Sequence, residues 1–264
     1  MTTTNKPGLP KIFADTSKIS EIEELIKILP IHGITTNPVI VGKEAGSAQP
    51  VDYYKRLVGR FPNLPVSIQL LDEPIDELLE QAHFYSSISP NIVIKVPMFA
   101  DGRGLAVLSQ LVKEGIKTNV TAMMNAEQLL LALLAGSNGP GLEPTYLSLF
   151  FNRIRDSGGD PETEIARSRQ LLEKFGWKSE IISGSIRRGK DVVDAVMAGT
   201  HIATVQPKVI WEMVDHPKST EFIEQSQASW NELLQLGKNN NGESPNAKSK
   251  LRKRRSPQKT ALGR

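Results

Sequence analysis

Two apolar rhythms alternate along the chain, one with a period of two and one with a period near that of a helix. The segment "PKIFADTS" reads as a strand that ends at Asp15. "SKISEIEELIKILP" then places Ile19, Ile22, Leu25, Ile26 and Leu29 at helical spacing, with Ser17 positioned to cap them. "HGITTNPVI" predicts a second short strand, stopped by Pro38, and "VDYYKRLVGRF" predicts a helix. The exchange continues through strands in "LPVSIQLLDE", "NIVIKVP", "IKTNVTAMM", "TYLSLFFNR", "KSEIISGSIR" and "HIATVQP". Helices fall between them. "EPIDELLEQAHFYSSI" has Pro74 in its first turn, "GRGLAVLSQLVKEG" is closed by Gly115, and "NAEQLLLALLAG" is capped by Asn125. "DPETEIARSRQLLEKFG", "GKDVVDAVMAGT" and "PKVIWEMVDH" complete the set.

Eight strand–helix alternations joined by short connections predict parallel strands. Eight such units in 264 residues predict an α/β fold, a (β/α)8 TIM barrel. A doubly wound open sheet would want a glycine-rich turn after the first strand, and "ADTSKIS" contains no glycine. One more helix follows in "STEFIEQSQASWNELLQLG", rich in apolar residues (Phe222, Ile223, Trp230, Leu233, Leu234). Packing on a neighbouring subunit and packing on its own barrel both remain open uses for it. The expected organisation is therefore a catalytic barrel domain over 1–237 and a low-complexity tail over 238–264, with no apolar face and expected to be disordered.

Charge changes the picture at that boundary. The formal net charge of +3 hides nine basic residues and one acidic residue in 238–264, which leaves 23 basic against 28 acidic in the body. "KSKLRKRR" offers non-specific phosphate contacts but no aromatic residue for base stacking, so nucleic acid is expected to bind weakly if at all. No cysteine is present, which removes disulfides and thiolate chemistry. The four histidines (His32, His83, His201, His216) stand at no metal-ligand spacing, and no nucleotide-binding fingerprint occurs, so neither metal nor cofactor is expected. No apolar run is long enough to span a membrane, and "MTTTNKPGLPK" lacks the apolar core of a secretory signal. The expectation is a cytoplasmic protein.

In such a barrel the chemistry lies at the C-terminal ends of the strands. Read there, the sequence supplies Asp15; Thr35, Thr36 and Asn37; Gln69; Lys95; Asn119 and Thr121; Ser148, Phe150, Asn152 and Arg153; Ser183, Ser185 and Arg187; Thr204 and Gln206. Lys95 interrupts the apolar run "NIVIKVP" in phase with Val93, while Ile92, Ile94 and Val96 take the opposite face. If those three face the helices, Lys95 points into the barrel. There it loses water, its pKa falls, and the free amine becomes able to form a Schiff base with a carbonyl. A lysine that snorkels to the mouth, or pairs with Asp15 as a structural ion pair, is the competing reading. Asp15 is the one carboxylate that ends an inner strand, which suits proton transfer, although a helix cap is also open to it. Arg153, Ser185 and Arg187 suit a phosphate, after strands six and seven where barrels commonly bind one. Arg155 and Arg188 read as solvated loop charge.

The runs "FADTS", "GITTNP", "IVIKVP", "TNVTAMM", "NRI" and "SGSIR" resemble, in order and spacing, the transaldolase family, in the short-chain group that includes fructose-6-phosphate aldolase. The resemblance extends from about Ile12 to Leu236 and leaves out the basic tail. It implies a metal-free Schiff-base enzyme acting on sugar phosphates. Lys95 would form the adduct, Asp15 would be the acid/base, and Gln69 and Thr121 would hold the catalytic water. Thr35, Asn37, Asn119 and Ser148 would bind the sugar hydroxyls, and Arg153, Ser185 and Arg187 the phosphate. It also implies a homo-oligomer, a decamer or pentamer, with the last helix reaching a neighbour.

Two residues bear on the reaction. Transaldolases usually carry Glu where Gln69 stands, and the aldolase carries Tyr where Phe150 stands. Without that tyrosine hydroxyl the bound dihydroxyacetone carbanion is not protonated and can be passed to an aldehyde. Phe150 therefore favours transfer from a ketose phosphate, such as fructose 6-phosphate or sedoheptulose 7-phosphate, to an aldose phosphate in the pentose phosphate pathway. Release of free dihydroxyacetone is the alternative. Leu149 and Ile186 also depart from the residues common at those positions.

Overall fold

The computed structural model describes residues 8–46, 49–137 and 143–240, with side chains through 237. The expected disorder of the basic tail and the reading of the first residues fall largely outside that range. The chain divides into two compact units, Met1–Val214 and Asp215–Arg264.

The first unit is a closed barrel of eight parallel strands: β1 (Lys11–Ala14), β2 (Gly33–Thr35), β3 (Val66–Gln69), β4 (Ile92–Pro97), β5 (Thr118–Met123), β6 (Tyr146–Phe150), β7 (Glu180–Gly184) and β8 (Ile202–Val205). Each pairs with the next, and β8 closes on β1 with Phe13 opposite Thr204. Between them run α1 (Ile19–Ile26), α2 (Pro38–Ala45), α3 (Pro50–Arg60), α4 (Ile75–Ile88), α5 (Arg103–Lys113), α6 (Ala126–Gly136), α7 (Phe151–Asp156), α8 (Pro161–Phe175) and α9 (Gly189–Met197). The unit ends with α10 (Pro207–Val214), and the second unit contains α11 (Pro217–Asn240).

The alternation of each strand sorts two cores. Ile34, Ile68, Ile92, Ile94, Val96, Leu147 and Val205 join the helices in one large apolar layer around the barrel. Phe13, Val93, Tyr146, Ile182 and Ile202 form a separate apolar cluster of the opposite strand phase, inside the barrel. Phe13 and Tyr146 meet edge to face there, 5.5 Å between centroids. Gly33 is required beside them, because a Cβ at that position would lie 2.5 Å from the Phe13 ring. This plug closes the N-terminal end of the interior, so its polar residues can collect only at the C-terminal end.

Three local predictions change. Ser17 does not cap α1; it is buried with no hydrogen-bond partner for its hydroxyl. Lys18 is the N-cap residue and no side chain caps the helix; Thr16 braces the entry, accepting from the Lys18 N–H at 3.2 Å and donating to Glu21 at 2.9 Å. Pro38 stops the second strand but also opens α2, an unpredicted helix capped by the Asn37 side chain. The sixth strand ends at Phe150 rather than Arg153, because the chain turns into α7, where Phe151 and Ile154 are buried three residues apart.

Candidate active site

Lys95 occupies the middle of β4, in register with Gln69 on β3 and Asn119 on β5. Its phase is that of Val93 in the inner plug, so the side chain points into the barrel, and the residue is only 5 % exposed. Its Nζ donates to the backbone carbonyl of Thr36 at 3.2 Å, a neutral acceptor. The Phe150 ring lies 6.0 Å away. Burial drives the Lys95 pKa down, and the nearby Asp15 carboxylate opposes that only in part.

Asp15 follows directly on β1 and faces the same space. Burial raises its pKa, against the Lys95 charge and a hydrogen bond from the Thr35 hydroxyl at 2.9 Å. The two shifts point the same way, toward a neutral amine beside a neutral acid. Thr35 also shares a short hydrogen bond with Thr204 across the barrel's closing seam. Asp15 lines a cavity of about 210 Å³ together with Thr16, Lys43, Gln206 and Lys208.

The opposite wall is a neutral chain. The Ser148 hydroxyl donates to Asn119 Oδ1 at 2.7 Å, and Asn119 Nδ2 donates to the Ser67 hydroxyl at 3.1 Å. Thr121 is fully buried with no partner for its Oγ1. The pairing of β5 with β6 slips just after it, between Val120 and Met123, and Ala122 takes a φ of 60°. Such a bulge re-aims the neighbouring side chain. Asn37 has its carboxamide oxygen committed to the α2 cap, accepting from Ile40 N–H at 3.0 Å.

The cationic group lies one step around the barrel. Ser185 leaves β7 with a φ of 58°, the left-handed region, and its carbonyl accepts from Asn152 Nδ2 at 2.9 Å. Arg187 is exposed and makes a two-pronged contact with Asp156. Arg153, on α7, is exposed too, and with Arg187 it lowers the Asp156 pKa, the Arg187 hydrogen bond contributing most. Asp156 is thus held by Arg187 and lies within the electrostatic reach of Arg153. Ser183 turns away from this space and bonds to Thr200 at 3.0 Å.

Residues read as unconnected prove central here. Asp191, on α9, is fully buried and gathers Asn152, Arg155, Arg187 and Arg188. Arg155 and Arg188, read as solvated charge, both bind it. A signal was present: an acidic residue three positions after Arg188, at a helix start, is half of a capping box.

A closed parallel barrel with a desolvated lysine inside it and a carboxyl group nearby is the architecture of a (β/α)8 barrel with a candidate site at the strands' C-terminal face. The chain matches the family model described as Transaldolase/Fructose-6-phosphate aldolase over residues 12–251, and it belongs to that family. A Bacillus cereus protein named "Probable transaldolase 1" is 35 % identical over 223 residues, covering 83 % of this chain and 97 % of that one. A Listeria monocytogenes protein named "Probable transaldolase 2" is 34 % identical over 225 residues, covering 85 % and 98 %. Among solved structures, a putative fructose-1,6-biphosphate aldolase from Coccidioides immitis shares the fold, with a TM-score of 0.51 at 14 % identity over 75 % of this chain and 73 % of that one. Among the described residues no helix is long and apolar enough to cross a membrane.

Proposed function

We propose that the protein is a Schiff-base transaldolase that moves a dihydroxyacetone unit from a ketose phosphate, such as fructose 6-phosphate or sedoheptulose 7-phosphate, to an aldose phosphate. The observation that carries this reading is Lys95: an amine 5 % exposed, hydrogen-bonded to a neutral carbonyl, with its pKa pushed down by burial.

The free amine attacks the C2 carbonyl of the ketose, and the carbinolamine loses water as Asp15, held protonated by burial, supplies the proton. The resulting iminium carries a fixed positive charge that faces Asp15 and favours its carboxylate form. That carboxylate takes the C4 hydroxyl proton as the C3–C4 bond breaks, and the iminium receives the electron pair as an enamine. An aldose phosphate departs. A second aldehyde then accepts the same pair by the reverse steps. Thr121, with its unpaired buried hydroxyl, and Gln69 suit the positioning of the water. Asn119, Ser148, Thr35 and Asn37 suit the sugar hydroxyls, and Arg153, Ser185 and Arg187 suit the phosphate.

Phe150 supports transfer over release. Its ring, 6.0 Å from Nζ, offers no acidic hydrogen to the enamine, which persists until an aldehyde arrives. Gln69 favours the second reading, an aldolase that releases free dihydroxyacetone, because an amide stands in register with Lys95 where a carboxylate would be expected of a transferase. Borohydride added with fructose 6-phosphate should trap an adduct that maps to Lys95. Turnover should then require erythrose 4-phosphate or another aldehyde acceptor. An adduct elsewhere would overturn the mechanism, and acceptor-independent turnover at a comparable rate would establish the aldolase. The pathway reading follows from these substrates, a cytoplasmic location fits it, and the exposed Phe222, Ile223, Trp230, Leu233 and Leu234 of α11 suit contact with another copy in a homo-oligomer.

A further inference from the structure

The Asp191 side chain is fully enclosed, with 0 % exposure. A carboxylate is costly to bury, so its donors show what it holds. Oδ2 accepts from Asn152 Nδ2 at 2.8 Å and from the backbone N–H groups of Arg188 and Arg187 at 3.0 and 3.3 Å. Oδ1 accepts from the guanidinium groups of Arg188 and Arg155 at 2.9 and 3.2 Å. These donors come from two places in the chain: the helix that carries Arg153, and the turn that carries Ser185 and Arg187. Asn152 closes the loop, because the same Nδ2 also donates to the Ser185 carbonyl. Ser185 takes a left-handed backbone, φ 58°, at this turn.

We propose that Asp191 is a positioning residue for phosphate recognition, fixing the Ser185–Arg187 turn against the Arg153-bearing helix at the spacing a phosphomonoester requires. This rests on the reading that Arg153, Ser185 and Arg187 receive the substrate phosphate. Asp191 touches no substrate. Its effect is therefore specific to the phosphorylated end and absent from the Lys95 end of the site.

The test compares wild type, Asp191→Asn and Arg155→Met, the last removing one donor and leaving the carboxylate in place. Each is assayed for KM and kcat with fructose 6-phosphate, for inorganic phosphate binding by calorimetry, and for borohydride trapping of unphosphorylated dihydroxyacetone at Lys95. Asp191→Asn should raise KM for fructose 6-phosphate and the Kd for phosphate by about tenfold, the equivalent of one lost charge-assisted hydrogen bond. Trapping of dihydroxyacetone should stay within about twofold, and Arg155→Met should show the same pattern more weakly. Equal losses in trapping and in phosphate binding would mark Asp191 as merely structural and overturn the proposal. So would unchanged phosphate binding in both variants. If Asp191→Asn fails to fold, Arg155→Met decides alone on the same two readouts. If the wild type traps dihydroxyacetone but binds no phosphate, the phosphate reading falls and takes this proposal with it. If the wild type binds phosphate but traps nothing at Lys95, the Schiff-base reading falls and the phosphate comparison still stands.

Discussion

Two carboxyl groups in this barrel are driven in opposite directions. At Asp15 burial is the dominant influence and raises the pKa; the Lys95 charge and a single Thr35 hydroxyl do not reverse it. At Asp191 burial also pushes upward, but hydrogen bonds from Asn152, Arg188, the Arg187 N–H and Arg155 outweigh it and take the pKa down to about 2. Loss of water is common to both; the supply of donors is not. A carboxyl left short of donors can change protonation during a reaction. One saturated with donors holds its neighbours still across any ordinary pH. The β1–β4 side of the mouth carries the carboxyl group short of donors, and the β6–β7 side the one that is saturated with them.

The sharpest way to break the comparison is to remove the pair on the reactive side. Lys95→Met combined with Asp15→Asn should cut turnover by at least about 10⁴-fold. Stability should stay within about 1 kcal/mol, because burial already drives both groups toward their neutral forms and no buried ion pair is lost. Urea unfolding measures it, and a clear loss of stability would mean that the pair is a structural ion pair.

Phe150→Tyr sharpens the chemical side. A hydroxyl beside the Schiff base should raise acceptor-independent release of dihydroxyacetone by about 10²-fold, measured without any aldehyde acceptor. No increase would remove Phe150 as the reason for transfer.

The fixed side carries a pH signature. The folded pKa of Asp191 lies below its ordinary value of 3.8, at about 2, so its contribution is fully present above about pH 4. It is lost as pH falls toward 2, and amounts to about 2 kcal/mol. Asp191→Asn should therefore be less stable than the wild type at neutral pH by about that amount, with the difference closing toward pH 2. Urea midpoints across pH 2–7 report it, and a gap that stays constant with pH would assign the loss to packing.

The smallest effect concerns Asp156, which engages the exposed Arg187 side chain. Asp156→Asn frees that guanidinium and should lower KM for fructose 6-phosphate by about two- to threefold. A raised KM would show that Asp156 aims Arg187 instead of competing for it.

The barrel was legible because strand alternation and helix periodicity are local. Ile92, Ile94 and Val96 against Val93 and Lys95 place a lysine inside before any coordinates exist, and the structure puts Lys95 there. Asp15 with Thr35, and Asn119 with Ser148, could be read as neighbours because strand ends gather at one face of a barrel, and each pair is joined by a hydrogen bond. What escaped was held together by contacts distant in sequence, or by short helices whose pattern is too brief to read. The α2 helix buries only Val41, and α7 has only six residues. Ser17 is buried instead of capping, and Thr16 bonds to Lys18 and Glu21 at the helix entry.

The sequence by itself determined the eight-fold alternation, the inward phase of Lys95 and the family, since each rests on residue order alone. The tertiary structure decided the protonation preferences. Whether a carboxyl group is raised or lowered depends on how many donors converge on it. Asp191 draws its donors from Asn152, Arg155, Arg187 and Arg188, as far as 39 positions away in the chain, and only the closed barrel brings them to one point.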